Sequence, residues 1–138
     1  MLRLEGRCHC GAIGFTFETS QAPEHWAVRA CQCNFCRSHG ARTVSDPQGQ
    51  VTFRFADESK LQRYRFGLRT ADILLCRECG VYLAAVLTSG DRQFATVNVN
   101  TIAPLPAVPE AQPVTYESET AEQRRVRREQ RWTPVARR

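Results

Sequence analysis

The sequence predicts a mostly β fold, and three observations carry that prediction. Apolar residues recur with period two in six separate segments, the pattern of half-buried strands. Glycine and proline punctuate the gaps, at Pro47, Gly49, Gly67, Gly80 and Gly90. Seven cysteines fall into three tight groups, a means of stapling a 138-residue chain whose core is modest.

Taken in order, AIGFTFET (12–19) sets Ile13, Phe15 and Phe17 on one face. A short helix or turn fits near 34–40. VTFRFA (51–56) alternates Val51, Phe53 and Phe55. LQRYRF (61–66), ADILLC (71–76), VYLAAVL (81–87) and FATVNVN (94–100) complete the strands. In the last, Asn98 and Asn100 share one face, turned either to a ligand or to water. APLPAVPEAQP (103–113) has four prolines and reads as an extended strap, neither helix nor sheet. ETAEQRRVRREQRW (119–132) fits a short helix, weakly docked or mobile, because only Ala121, Val126 and Trp132 are apolar. TPVARR beyond it is expected to fray. One domain over 1–103 is thus followed by a strap and an Arg-rich tail over 104–138, packed on or extending from it.

Composition narrows the function classes. The chain is 42% hydrophobic and 24% charged, ordinary for a globular protein. No apolar run approaches the roughly 20 residues that span a bilayer, so no membrane partner is expected. The start, MLRLEGRCHCGAIGF, lacks an apolar core and a cleavage pattern, which makes the cytoplasm the expected compartment. The formal charge of +5 is concentrated at one end, since residues 119–138 carry seven Arg against three Glu. A sequence pI of 9.0 is therefore a poor argument for nucleic acid. The tail reads first as a solvated helix, next as a self-contact across a homodimer, and last as a binder of nucleic acid or an anionic surface.

An odd cysteine count fits a disulfide framework badly; clustered cysteines in a reducing compartment bind metal. Cys8 and Cys10 form C-x-C, and Cys76 and Cys79 form C-x-x-C followed by Gly80. Together they make a closed, structural zinc site of four thiolates. Cys31, Cys33 and Cys36 remain, as C-x-C-x-x-C. Three ligands with one open position is the pattern of a reactive zinc. Spacing leaves two alternatives standing. His39, three residues past Cys36, can close a structural site as its fourth ligand, and Cys33 with Cys36 has the spacing of a redox dithiol.

GRCHCGAIGF, CQCNFCRSHGA, YRFG, LLCRECGVYLAAV and VNVNTI appear in an order that resembles the glutathione-dependent formaldehyde-activating enzyme family, which also contains centromere protein V. The resemblance covers roughly residues 4 to 103. It implies a β-tent fold of small antiparallel sheets with zinc at their junction. It implies a structural zinc on Cys8, Cys10, Cys76 and Cys79, and a second zinc on Cys31, Cys33 and Cys36 that receives the thiolate of glutathione. His39 is then not a ligand. The implied activity is that of a carbon–sulfur lyase of the S-(hydroxymethyl)glutathione synthase kind, with a small thiol and a small aldehyde such as formaldehyde as partners. The alternative is a non-catalytic binding module with both zincs structural. Glutathione carries two carboxylates, which call for cations. Arg37 and Arg42 flank the triad and are the nearest candidates, ahead of Arg29 and Arg69.

Overall fold

A computed structural model describes residues 1–137 of the chain. The strands are β1 (Leu2–Arg7), β2 (Ile13–Thr19), β3 (Arg29–Cys31), β4 (Thr43–Val44), β5 (Gln50–Phe55), β6 (Leu61–Tyr64), β7 (Asp72–Cys76), β8 (Tyr82–Ser89), β9 (Arg92–Asn98), β10 (Gln112–Val114) and β11 (Thr133–Pro134). The helices are α1 (Asn34–His39) and α2 (Ala121–Arg131). None of the helices is long and apolar enough to cross a membrane.

The strands form two sheets. The smaller has the order β1-β2-β5, wholly antiparallel. The larger runs β10-β3-β4-β9-β8-β7-β6, with β11 joining β9 beside β4. It is antiparallel except at β10, which pairs in parallel with β3. The inward face of β2 carries Ile13, Phe15 and Phe17, all fully buried. Gly6 is the cross-strand partner of Phe15, and a Cβ there would lie 2.2 Å from the phenyl ring. Only glycine lets that ring lie across β1. Phe15, Phe17, Val51 and Phe53 of the small sheet meet Leu74, Ala84, Val86 and Val97 of the large one in a single core.

The opposite face of the large sheet is also covered. Ile73, Tyr82, Ala85, Leu87 and Phe94 pack there with Trp132 and Phe35. Burial on both faces explains why VYLAAVL is apolar throughout rather than alternating. One irregularity sets the phase. Leu74 pairs with Ala84 but Leu75 pairs with Tyr82, leaving Leu83 as an extra residue. Without this bulge Tyr82 would share the face of Ala84 and Val86. With it, Tyr82 turns to the outer face beside Ala85 and Leu87.

The C-terminal third departs from the sequence expectation. The strap ends in a strand, because only the N–H side of Pro113 is lost to a ladder and β10 lies at a sheet edge. α2 is firmly capped: Gln123 N–H donates to Thr120 Oγ1 at 3.1 Å and Thr120 N–H to Gln123 Oε1 at 2.8 Å. Two of its five arginines are ion-paired, Arg127 with Glu119 and Arg125 with Glu122 and Glu129. Nor does the end fray over the described residues. Trp132 is 6% exposed, Thr133 is fully buried, and Ala136 N–H donates to the Val51 carbonyl at 2.8 Å. Arg138 lies outside the described residues. The β9 strand stops at Asn98, whose side chain accepts from Asn100 N–H at 3.2 Å and caps a 3-10 turn over Val99–Thr101. Asn98 and Asn100 are thus structural: Asn98 also donates to the Tyr82 carbonyl, and Asn100 to the Gly40 carbonyl.

Trp132 is the apolar anchor of the tail. Trp132→Ala is expected to cost about 3–5 kcal/mol, by analogy with buried aromatic truncations. Urea unfolding of the zinc-loaded protein measures it, and a midpoint unchanged from wild type contradicts this account of the tail.

Candidate metal centre

The first cysteine group is assembled by two tight turns. After β1, Cys8 N–H donates to the Ile13 carbonyl and Gly11 N–H to the Cys8 carbonyl, with Gly11 at φ +84°. After β7, Gly80 N–H donates to the Cys76 carbonyl at 2.8 Å, with Gly80 at φ +79°. Both turns need a left-handed residue where the sequence supplies glycine. The sulfurs of Cys8, Cys10, Cys76 and Cys79 converge to within 4.8 Å of one another. Cys8 Sγ lies 3.7 Å from Cys10 Sγ, which lies 3.5 Å from Cys76 Sγ. A zinc–sulfur bond of about 2.3 Å gives a tetrahedron with edges of about 3.8 Å. Backbone N–H groups of Ile13 and Cys79 donate to Cys8 Sγ and Cys76 Sγ at 3.5 Å. No disulfide joins any of the seven cysteines. The donor set, its spacing and the backbone donors around it fit a closed structural zinc.

The second group is built on β3 and the start of α1. Cys33 is the helix N-cap, and its sulfur accepts from Cys36 N–H at 3.4 Å. Gly40, at φ +59°, closes this short helix. The sulfurs of Cys31, Cys33 and Cys36 lie within 4.8 Å of one another, with no histidine or carboxylate in the cluster among the described residues. Three thiolates with no fourth protein donor fit a zinc with one exchangeable position. A hydrogen bond with Cys36 holds the Cys31 thiol well below the usual thiol range, and the same bond pushes Cys36 up. His39 stands apart. Its ring packs 4.6 Å from Phe35 and 5.8 Å from Tyr82, centroid to centroid.

The triad opens into a cavity of about 140 Å³. That is roughly ten times the space a single water needs in the same measure. Ile73, Ala85, Phe66 and Trp132 give it an apolar lining, and Tyr82 lies on the same wall. Burial first, then the neighbouring cysteine sulfurs, pushes the Tyr82 phenol far up, so its O–H remains a donor. Arg29 of β3 and Arg124, Arg127 and Arg128 of α2 line the same cavity and make it cationic.

Of the arginines that sequence suggested, Arg29 reaches this cavity and the others do not. Arg37 is exposed on α1. Arg42 donates from Nε to Asn100 Oδ1 at 2.8 Å. Arg69 sits in a turn at φ +54° on another face. Glu78 is paired with Lys60 at 2.7 Å, and His9 is exposed. Phe35 packs among Tyr64, Phe66, His39 and Tyr82 beneath the triad's helix. The tail arginines were missed because their charge reads as a solvated run. Their signal lay in spacing, since Arg124, Arg127, Arg128 and Arg131 recur at three and four residues, one face of a helix that ends in Trp132.

Residues 3–119 match the family described as glutathione-dependent formaldehyde-activating enzyme. The chain belongs to this family. A crystal structure of a Rhodobacter sphaeroides protein, a structural-genomics target, is also similar, with 30% sequence identity and a TM-score of 0.59. The similarity covers 80% of this chain and 99% of that one. No curated protein gave a significant match. All seven cysteines and Tyr82 fall inside the family match, whereas α2 lies beyond its end at residue 119.

The two cysteine groups are expected to bind two zinc ions per chain, counted by native mass spectrometry. Cys36→Ser should lose one and leave the folded core intact. Cys8→Ser should lose the other and lower the Tm far more, because it unties the two sheets. His39→Ala should retain both; loss of one would put the histidine back among the ligands.

Proposed function

We propose that this protein is a zinc-dependent enzyme of the carbon–sulfur lyase type. It captures a glutathione-like thiol at Cys31, Cys33 and Cys36 and adds it to, or releases it from, a small aldehyde such as formaldehyde. The observation that carries this reading is a three-sulfur cluster, without a fourth protein ligand among the described residues, lining a largely apolar cavity. Family membership supports the substrate class.

Zinc bound at the triad supplies one function: it keeps a substrate sulfur as thiolate at neutral pH, three protein thiolates leaving it little Lewis acidity for a carbonyl. The chain's own residues do the rest. The N-cap turn of α1 fixes the direction in which the three cysteines leave an opening. Ile73, Ala85 and Phe66 limit water beside that opening, which favours a free carbonyl over its hydrate. Thiolate and aldehyde then meet in one orientation rather than by free encounter. As the carbon–sulfur bond forms, the carbonyl π pair moves to oxygen, which takes from solvent one proton in place of the one the thiol released to solvent on capture. Tyr82, kept protonated by its burial, is an O–H donor of the cavity suited to hydrogen-bond that oxygen. Release runs the same steps backwards, with the proton leaving and the carbonyl re-forming.

Exchange NMR of glutathione, formaldehyde and their S-hydroxymethyl adduct tests this directly. Wild-type protein should accelerate exchange, and Cys31→Ser or Cys36→Ser should return it to the uncatalysed background. Tyr82→Phe should slow turnover by about 10- to 100-fold while the bound thiol is retained. Wild-type exchange no faster than buffer sinks the reading.

A further inference from the structure

The cavity holds more positive charge than its own residues neutralise. Arg127 is matched, donating Nε and Nη2 to Glu119 at 2.9–3.1 Å and lying 3.5 Å over the Tyr116 ring. The other three guanidiniums have only neutral hydrogen-bond partners among the described residues. Arg29 donates to Ser45 Oγ and Thr96 Oγ1. Arg124 donates Nη2 to the Tyr116 carbonyl at 3.0 Å. Arg128 donates Nη1 to Thr70 Oγ1 at 2.7 Å and stands 4.9 Å from the Trp132 ring. Arg124 Nε and Arg128 Nε are buried without any acceptor. Such atoms are rare, since a buried donor left unpaired is costly.

Burial pulls the Arg128 guanidinium down to about 10, with Arg127 and Arg124 adding to the effect, so it stays charged at neutral pH. The one carboxylate on the cavity wall, Glu117, is exposed at its rim. A guanidinium presents a planar fork that suits a carboxylate. Arg124 and Arg128 lie one helical turn apart and face the same space.

We propose that Arg124 and Arg128 of α2, with Arg29 of β3, form an anion subsite that makes this protein select thiols carrying a carboxylate. The inference rests on the thiol-capture reading and specifies its substrate class. It divides the work within the cavity. The cysteine triad takes the sulfur, and the C-terminal helix reads the acidic group at the other end of the molecule. Arg124 and Arg128 lie beyond residue 119, where the family match ends.

Two probes separate the two tasks. S-Methylglutathione carries both carboxylates but no free thiol; 2-mercaptoethanol carries a thiol but no carboxylate. Each is titrated into zinc-loaded protein by calorimetry, and the ratio of their affinities is the readout. Arg124→Gln and Arg128→Gln should move that ratio against S-methylglutathione by about tenfold or more, with zinc content as the check on folding. Cys36→Ser should move it the opposite way. If the arginines only balance the charge of the metal thiolates, both probes weaken together, the ratio stays put, and the proposal fails. It fails too if wild type does not bind S-methylglutathione. Should the variants not fold, the wild type still decides. Its binding of S-methylglutathione must weaken as salt rises, and the dimethyl ester of that probe must not compete. Loss of 2-mercaptoethanol binding alone, with S-methylglutathione still bound, would count against thiol capture and not against the anion subsite.

Discussion

Everything in this fold depends on four sulfurs that meet between two sheets. Cys8 and Cys10 leave the end of β1, and Cys76 and Cys79 leave the end of β7, so the contact joins segments 66 residues apart. Hydrophobic burial alone would bring the sheets together loosely, as Phe15 and Phe17 meet Leu74 and Val86. It would not fix their angle, because apolar contact is non-directional. Four thiolates on one metal ion would be directional, and would tie both turns together at once. The β3–α1 segment is then held over a sheet of defined orientation, and the triad inherits its geometry from that.

The chemistry is divided along the same lines. The large sheet offers one face to the core and the other to the cavity, so β8 is buried on both sides. The Leu83 bulge assigns Tyr82 to the cavity face while Ala84 and Val86 stay in the core. α2 closes that face, anchored by Trp132 and by the short β11 pairing with β9. Sulfur, phenol and guanidinium groups therefore line one cavity between the large sheet and α2.

Much of this was legible in the residues. The six alternating segments are strands, and their bounds differ by only a few residues. The cysteine spacing alone sorted the seven thiols into the two groups that the fold brings together. What escaped was non-local. β1, β3, β4, β10 and β11 have weak patterns, all but β1 with three residues or fewer, and form because an existing edge accepts them. The tail read as solvated because its pairing with Glu119, Glu122 and Glu129 and the burial of Trp132 cannot be seen in a charge count. Arg37 and Arg42 were chosen by nearness in sequence, but α1 turns the first to solvent and Asn100 holds the second. Proximity along the chain was a poor guide to proximity across the cavity.

The shortness of the link between Gly80 and Tyr82 has a consequence for how metal is acquired. The turn that presents Cys76 and Cys79 ends at Gly80, Cys76 N–H is bonded to the Val81 carbonyl, and Tyr82 follows at once as part of the cavity wall. Two residues, Gly80 and Val81, thus separate the closed cysteine group from the surroundings of the open one. Ordering that turn removes entropy that the cavity would otherwise have to lose later, and linkage makes the benefit mutual. Metal taken up by the closed group would therefore order residues that border the open one, with no ligand shared between the two.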